Sequence, residues 1–201
     1  MNVSLKITSL LAIVALLPAA TQPAPKVDMA ALVARTSPGV GQKALQPLVG
    51  TWRVTKSIFV LGPPGRPLMS ENMITERRWI ADGRFLSDTT TGLAGGKPYF
   101  RTGMLGYNNM DKRYEWTTAD NQTPIMMSYY SAKGSGTSGP INMAGSFTDP
   151  GVTGNKNVGR TIRMRTTIRI VSNDRHIYQI FFTPPGKPEM LADRMIFDRI
   201  K

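Results

Sequence analysis

A chain of 201 residues, 41% of them hydrophobic, is long enough for one domain with a core of its own. Its 25 Lys and Arg against 13 Asp and Glu give a formal charge of +12, which draws the surface towards polyanions. The lack of Cys excludes disulfides, thiol nucleophiles and thiolate metal sites, so stability must come from packing.

Residues 1–20, "MNVSLKITSLLAIVALLPAA", run from Lys6 through an apolar stretch, Ile7 to Leu17, into Pro18-Ala19-Ala20. That order of charged, apolar and small residues predicts a secretory signal cleaved near Ala20. The apolar run falls short of the roughly 20 residues that span a bilayer. An uncleaved N-terminal anchor is the rival reading, and the lack of a following Cys excludes a lipoprotein anchor. The expected location is periplasmic or extracellular. Signal removal takes one Lys and no acid, so the mature chain stays basic.

Residues 21–43 read as a flexible leader carrying a short helix. "DMAALVART" (28–36) has Asp28 at the capping position ahead of good helix formers, and "SPGVG" stops it. "QKALQPLVG" (42–50) predicts another short helical turn leading into the first strand. Residues 44–201 form the predicted main domain.

From Gly50 the texture changes to short β-branched and aromatic runs broken by Gly, Pro, Asn and Asp. Strands are predicted over 51–60, 69–80, 84–92, 98–107, 113–119, 125–132, 140–148, 160–172, 175–183 and 189–199. The breaks between them carry turn residues, among them "ADGR", "NNMDK", "SND" and "PPGKP". Connections this short favour antiparallel neighbours, because parallel pairing needs a long crossover. Period-two alternation is clearest in "RTIRMRTTIRIV", where Ile162, Met164, Thr166, Ile168 and Ile170 oppose Arg163, Arg165, Thr167 and Arg169. No helices cover such a sheet, so it avoids exposed edges best by closing on itself. The fold class is therefore all-β: a closed antiparallel up-and-down barrel of about eight to ten strands with a short N-terminal helical segment.

The residues that could carry chemistry are few. His176 is the sole His, and without Cys or a second His it makes a poor metal or haem site, so it reads as a hairpin-end residue. Asp82, Asp111, Asp120, Asp149 and Asp174 fall beside turns; Glu71, Glu76, Asp88, Glu115, Asp193 and Asp198 fall in strands, unpaired by anything in the sequence. Neither catalytic residues nor a metal or cofactor site emerges. "GLAGGKP" (92–98) lacks the Gly-Lys-Ser/Thr ending of a phosphate loop. The knot Asn108–Lys112 could be a cation loop, but an EF-hand needs further alternating carboxylates and a closing Glu, so a hairpin turn is the reading.

Four phrases, in order and spacing, carry a resemblance: "LQPLVGTWRV" (45–54), "RRWIADGRFL" (77–86), "GMLGYNNMDKRYEW" (103–116) and "MIFDRI" (195–200). Together they resemble a family of exported bacterial proteins known as domain of unknown function 1579, over roughly residues 44–200. Members commonly have Asp after the Gly-Tyr pair, where this chain has Asn108. The resemblance implies a calycin-like barrel without an assigned activity. Gly50-Thr51-Trp52 is also similar to the Gly-x-Trp start of lipocalins, in which the Trp closes the barrel base beneath an Arg from a late strand. That implies Arg199, or failing it Arg194, stacked on Trp52 within about 6 Å.

A barrel of this width can leave interior space, and Met beside aromatics suits an adaptable apolar cavity. With the calycin resemblance, this gives the first functional expectation: a small apolar or amphipathic ligand lined by Tyr114, Trp116, Met127, Tyr129, Met143, Met164 and Tyr178. The second is a filled barrel whose basic face, with Arg163, Arg165 and Arg169, meets an anionic envelope polymer or lipid headgroup. Nucleic acid is not expected as a partner, since the basic residues are dispersed among acids and no recognition motif is present. The third is a hydrolase or isomerase using inward carboxylates or His176. A cavity of about 300 Å³ or more would favour the first; an acid within hydrogen-bond reach of His176 would favour the third.

Overall fold

The structure, a computed structural model, describes residues 26–63 and 65–201. The predicted signal and its cleavage point lie outside the described residues. Helix α1 (Met29–Thr36) starts where Asp28 accepts a hydrogen bond from the Ala31 amide at 3.0 Å. Helix α2 (Val40–Lys43) and a 3-10 turn (Gln46–Leu48) lead into the barrel.

Ten strands follow: β1 (Gly50–Ile58), β2 (Leu68–Ile80), β3 (Phe85–Ala94), β4 (Lys97–Asn108), β5 (Arg113–Asp120), β6 (Met127–Tyr130), β7 (Ile141–Thr148), β8 (Thr161–Ser172), β9 (Arg175–Thr183) and β10 (Met190–Arg199). Each pairs antiparallel with its neighbours in sequence, and β10 pairs with β1, closing the barrel. This is the closed up-and-down arrangement that the short turns and alternation predict, and it agrees with the calycin-like barrel that the family resemblance implies.

Strand β6 is the main departure, with four residues instead of the expected eight. Pro124 cannot donate to a ladder, and Ile125 and Met126 stay in the connection. Only Tyr129 and Tyr130 pair with β7, opposite Gly145 and Ala144. There the strands come very close: a Cβ on Gly145 would overlap the Ser128 carbonyl oxygen.

The Asn108–Lys112 knot is a hairpin turn. Asn108 Oδ1 accepts from the amides of Met110 and Asp111, each at 3.0 Å. The left-handed residue is Lys112 (φ 49°), not one of the asparagines or the Asp. Asn109 instead donates to the Arg35 and Ser37 carbonyls (3.0 and 2.8 Å), tying the end of α1 to the barrel.

The turns after β2, β4, β6 and β8 gather at one end of the barrel, the base. Those after β1, β3, β5, β7 and β9 gather at the other, the mouth. The segment before β1 plugs the base. Leu45 and Leu48 are fully buried there, and the α2 residue Gln42 donates to the Tyr107 carbonyl at 2.9 Å. Above them Trp52, Tyr114, Trp116, Tyr178 and Phe197 fill the lower interior. Among the described residues no helix is long and apolar enough to cross a membrane.

Candidate functional site

The barrel interior has three levels. At the base, the Trp52 indole donates to the Leu48 carbonyl at 3.0 Å. The Arg199 guanidinium lies 4.1 Å from the centre of that ring and also donates to the Val49 and Pro47 carbonyls, at 2.7 and 3.0 Å. Gly50 adopts φ 124°, and a Cβ there would overlap the guanidinium, so the clamp needs glycine at this position. Arg194, the fallback for this role, is paired in register with Gln179 well up β10.

At the waist sits a buried charge network that alternation alone did not reveal. Asp88 is 2% exposed and accepts from two guanidiniums, Arg77 Nε at 2.6 Å and Arg101 Nη2 at 2.8 Å. Burial pushes the Asp88 carboxyl up, but Arg101 and Arg77 together outweigh it and hold the group below the usual carboxylate range. Arg101 itself remains charged, raised by Asp88 against a large desolvation penalty.

His176 belongs to the same network. Arg77 Nη1 lies 2.8 Å from His176 Nε2. An arginine can only donate, so Nε2 accepts and the ring proton sits on Nδ1. The ring stacks on Phe197 (centroids 4.4 Å apart) and meets Trp52 edge-on at 4.2 Å. Burial, then the charges of Arg77 and Arg199, push its pKa down to about 2. A neutral imidazole with its lone pair already taken by an arginine lacks the acid partner that base catalysis through His176 requires. It also lines neither the outer cavity nor the recess that open from the mouth.

At the mouth the interior opens. An apolar vestibule of about 160 Å³ lies among Ile58, Val60, Leu68, Ile125, Phe147 and Val152. Beneath it is a polar recess of about 70 Å³ with Lys56, Tyr99, Arg101, Thr118, Tyr129 and Asp193 in its wall. Six residues, including Lys56, Met127 and Phe182, line both, so the two spaces adjoin. Lys56 and Asp193 form an ion pair at 3.2 Å, and the Lys56 amine lies 5.1 Å from the centre of the Tyr99 ring. Asp193 raises the Lys56 pKa above its ordinary value, overcoming the burial that lowers it.

The seven residues expected to line a ligand site all face inward, but they do not form one wall. Met127 and Tyr129 border the recess. Tyr114, Trp116, Met143, Met164 and Tyr178 are 1–3% exposed, belong to the packed core and line neither the vestibule nor the recess. The interior spaces, about 160 and 70 Å³, fall below the roughly 300 Å³ that would favour a ligand barrel, because large aromatic side chains occupy the lower interior. Arg77, Asp88, Arg101, Lys56 and Tyr99 were not singled out from the sequence as site residues. A signal for one pair existed. Residues equidistant from the Asp82-Gly83 turn face each other across β2 and β3, which places Arg77 opposite Asp88.

The outer surface is uneven in charge. On β8, Arg163 and Arg169 are exposed, whereas Arg165 is bound by Glu189 at 2.6 Å and stacks on Phe181. The base turns balance their charges through Asp82–Arg84, Asp111–Lys133 and Asp174–Arg199 contacts. The mouth carries Arg66, Lys97, Lys156, Arg160 and Lys187, all exposed and outside the ion pairs formed among the described residues. Leu61, Met126 and Val158 stand exposed on the same rim. Among the described residues no group of three His, Cys, Asp or Glu could hold a metal ion.

The fold has solved counterparts. Rv2717c from M. tuberculosis superposes with a TM-score of 0.54 at 18% identity, covering 82% of this chain and 100% of that one. Two further barrels overlap more loosely. EF1p2_mFAP2b, solved bound to DFHBI, gives a TM-score of 0.42 at 10% identity, covering 80% of this chain and 99% of its own. The redesigned barrel b11L5F_LGL gives 0.40 at 11% identity, covering 82% and 100%. No curated protein matches the sequence. The family described as protein of unknown function (DUF1579) matches residues 37–199, from the end of α1 to the Arg199 clamp, and the chain belongs to that family.

Proposed function

We propose that this protein is an exported binding barrel that holds a small apolar or amphipathic molecule in its mouth cavity. The observation that supports this is the vestibule itself: an apolar space above a recess of convergent polar side chains, the usual composition of a small-molecule site. Its size limits the occupant. An apolar cavity of about 150 Å³ is known to take a benzene-sized guest, so one ring or a short chain fits and a long lipid does not. Native mass spectrometry of the mature protein purified from its own host tests this directly. A small bound mass that disappears in a Met127→Trp variant, built to fill the throat, is the expected result. Only ligand-free protein, with no uptake on challenge with short-chain or single-ring compounds, would overturn it.

A second reading rests on a different observation, the unpaired basic and apolar residues at the rim. In it the mouth meets an anionic lipid surface, the ions steering contact and Leu61 and Met126 entering the headgroup region. Cosedimentation with anionic but not zwitterionic vesicles, weakened by Lys156→Glu and Lys187→Glu together, is the expected outcome.

A further inference from the structure

The wall of the recess carries four ionised groups, Lys56 and Arg101 against Asp120 and Asp193, and they cancel. Lys56 pairs with Asp193 at 3.2 Å, and Arg101 gives Nη2 to Asp88 at the waist, at 2.8 Å. With Arg77, which shares Asp88, three cations face three acids, Asp88, Asp120 and Asp193. A charged head group entering this balance would shed its hydration without meeting an opposite net charge, so burying it is unfavourable. The pairing nevertheless leaves hydrogen-bonding capacity over. An ammonium has three donors, and the contact with Asp193 Oδ2 takes one, leaving Asp193 Oδ1 outside that pair. Asp120 commits Oδ1 to the Gln122 and Thr123 amides, at 2.9 and 3.2 Å, which leaves Oδ2. Arg101 is 6% exposed, and among the described residues its Nε has no hydrogen-bond partner. Donors and acceptors thus remain around a space of about 70 Å³, the volume of about two waters at about 30 Å³ each.

We infer that the recess selects an uncharged hydroxyl head, so that the occupant is a single-ring or short-chain alcohol whose apolar body fills the vestibule. This rests on the ligand reading above and specifies the charge and chemistry of the occupant. A hydroxyl both donates and accepts, so it can take a hydrogen bond from Lys56 and give one to Asp193 without separating the two. It replaces a water in the recess with little change in hydrogen bonding, while the apolar body gains hydrophobic contact. The vestibule fixes the size of that body loosely, which leaves the head to set specificity.

Toluene, benzyl alcohol, benzoate, benzylammonium and phenylalanine place different heads on one ring, and calorimetric titration of the intact protein at neutral pH ranks them. The Met127 methyl signal in a carbon–proton NMR spectrum, assigned with Met127→Leu, reports whether each sits where vestibule and recess adjoin. Benzyl alcohol is expected to bind about tenfold tighter than either ion or phenylalanine. It should also bind at least as tightly as toluene, although a purely apolar cavity would favour the hydrocarbon. Single variants of the ion pair supply a test of sign. Lys56→Met leaves the wall acidic and should tighten benzylammonium about tenfold; Asp193→Asn leaves it basic and should tighten benzoate by a similar factor. An ion or phenylalanine matching the alcohol in the wild-type protein, or toluene exceeding it, overturns the hydroxyl inference and leaves the ligand reading standing. Absence of binding by all five overturns the ligand reading as well. The wild-type ranking decides the matter even if neither variant folds.

Discussion

The buried His176 makes a quantitative demand on stability. Its folded pKa lies at about 2, depressed by burial and by Arg77 and Arg199, whereas an unfolded His titrates near 6.5. The unfolded chain then binds a proton that the folded chain refuses. Stability from this residue is complete above pH 6.5 and is lost as the pH falls below it. Between pH 8 and pH 5 the loss comes to about 2 kcal/mol, at about 1.4 kcal/mol per unit once below pH 6. The window is clean, because His176 is the sole His and the lowered carboxyls Asp88, Asp111, Asp149 and Glu189 act mainly below pH 5. Urea unfolding followed by tryptophan fluorescence at half-unit pH steps measures it. His176→Gln retains an oxygen acceptor for Arg77 but cannot titrate, and its stability should be flat over the same range. A wild-type curve as flat as the variant's, or a variant that falls as steeply as wild type, would refute the assignment of a neutral, arginine-bound imidazole.

Three other expectations follow from the same geometry. Asp88→Asn leaves two buried guanidiniums without a counter-ion and should cost about 3–5 kcal/mol in chemical denaturation; a cost under 1 kcal/mol would mean that the network is hydrated in solution. Arg199→Ala removes hydrogen bonds to three carbonyls, of Asn173, Val49 and Pro47, and the stacking on Trp52, for about 2–4 kcal/mol, and Arg199→Lys should recover less than half, since an ammonium cannot span all three. Gly145→Ala drives a methyl into the Ser128 carbonyl and should cost about 1–3 kcal/mol by calorimetry, with faster amide exchange confined to β6 and its partners.

The strand count and closure were legible because turn residues punctuate the chain at every reversal and alternation marks the faces between them. The base clamp was legible through the Gly-x-Trp resemblance. The interior chemistry was harder to see, because period-two patterning sorts faces by polarity. Strand β2 turns Thr75 and Arg77 inward while Ile74 and Ile80 lie on the opposite face, so hydrophobicity points the wrong way there. What fixes the orientation is pairing: Trp52 opposite Thr75 and Val54 opposite Met73 commit β2 to the parity of β1. The division of the interior into a filled base and an open mouth depends on side-chain volumes summed over all ten strands. A strand-by-strand assignment treats Tyr178 and Met127 alike, although one is packed beneath aromatics and the other borders free space.

The clamp at the base also makes closure of the barrel wait for its tenth strand. Arg199 bonds to Val49 across 150 residues of sequence, and β10 follows the other nine strands of the barrel in the chain. Until it arrives, β1 and β9 each present an open edge, and the loop that must close is nearly the length of the domain. Barrel closure is therefore expected to be slow and late, with the preceding strands held as an incomplete curved sheet. A chain lacking β10 would not yield a slightly weaker barrel; it would yield an unsealed sheet with two edges available to its neighbours.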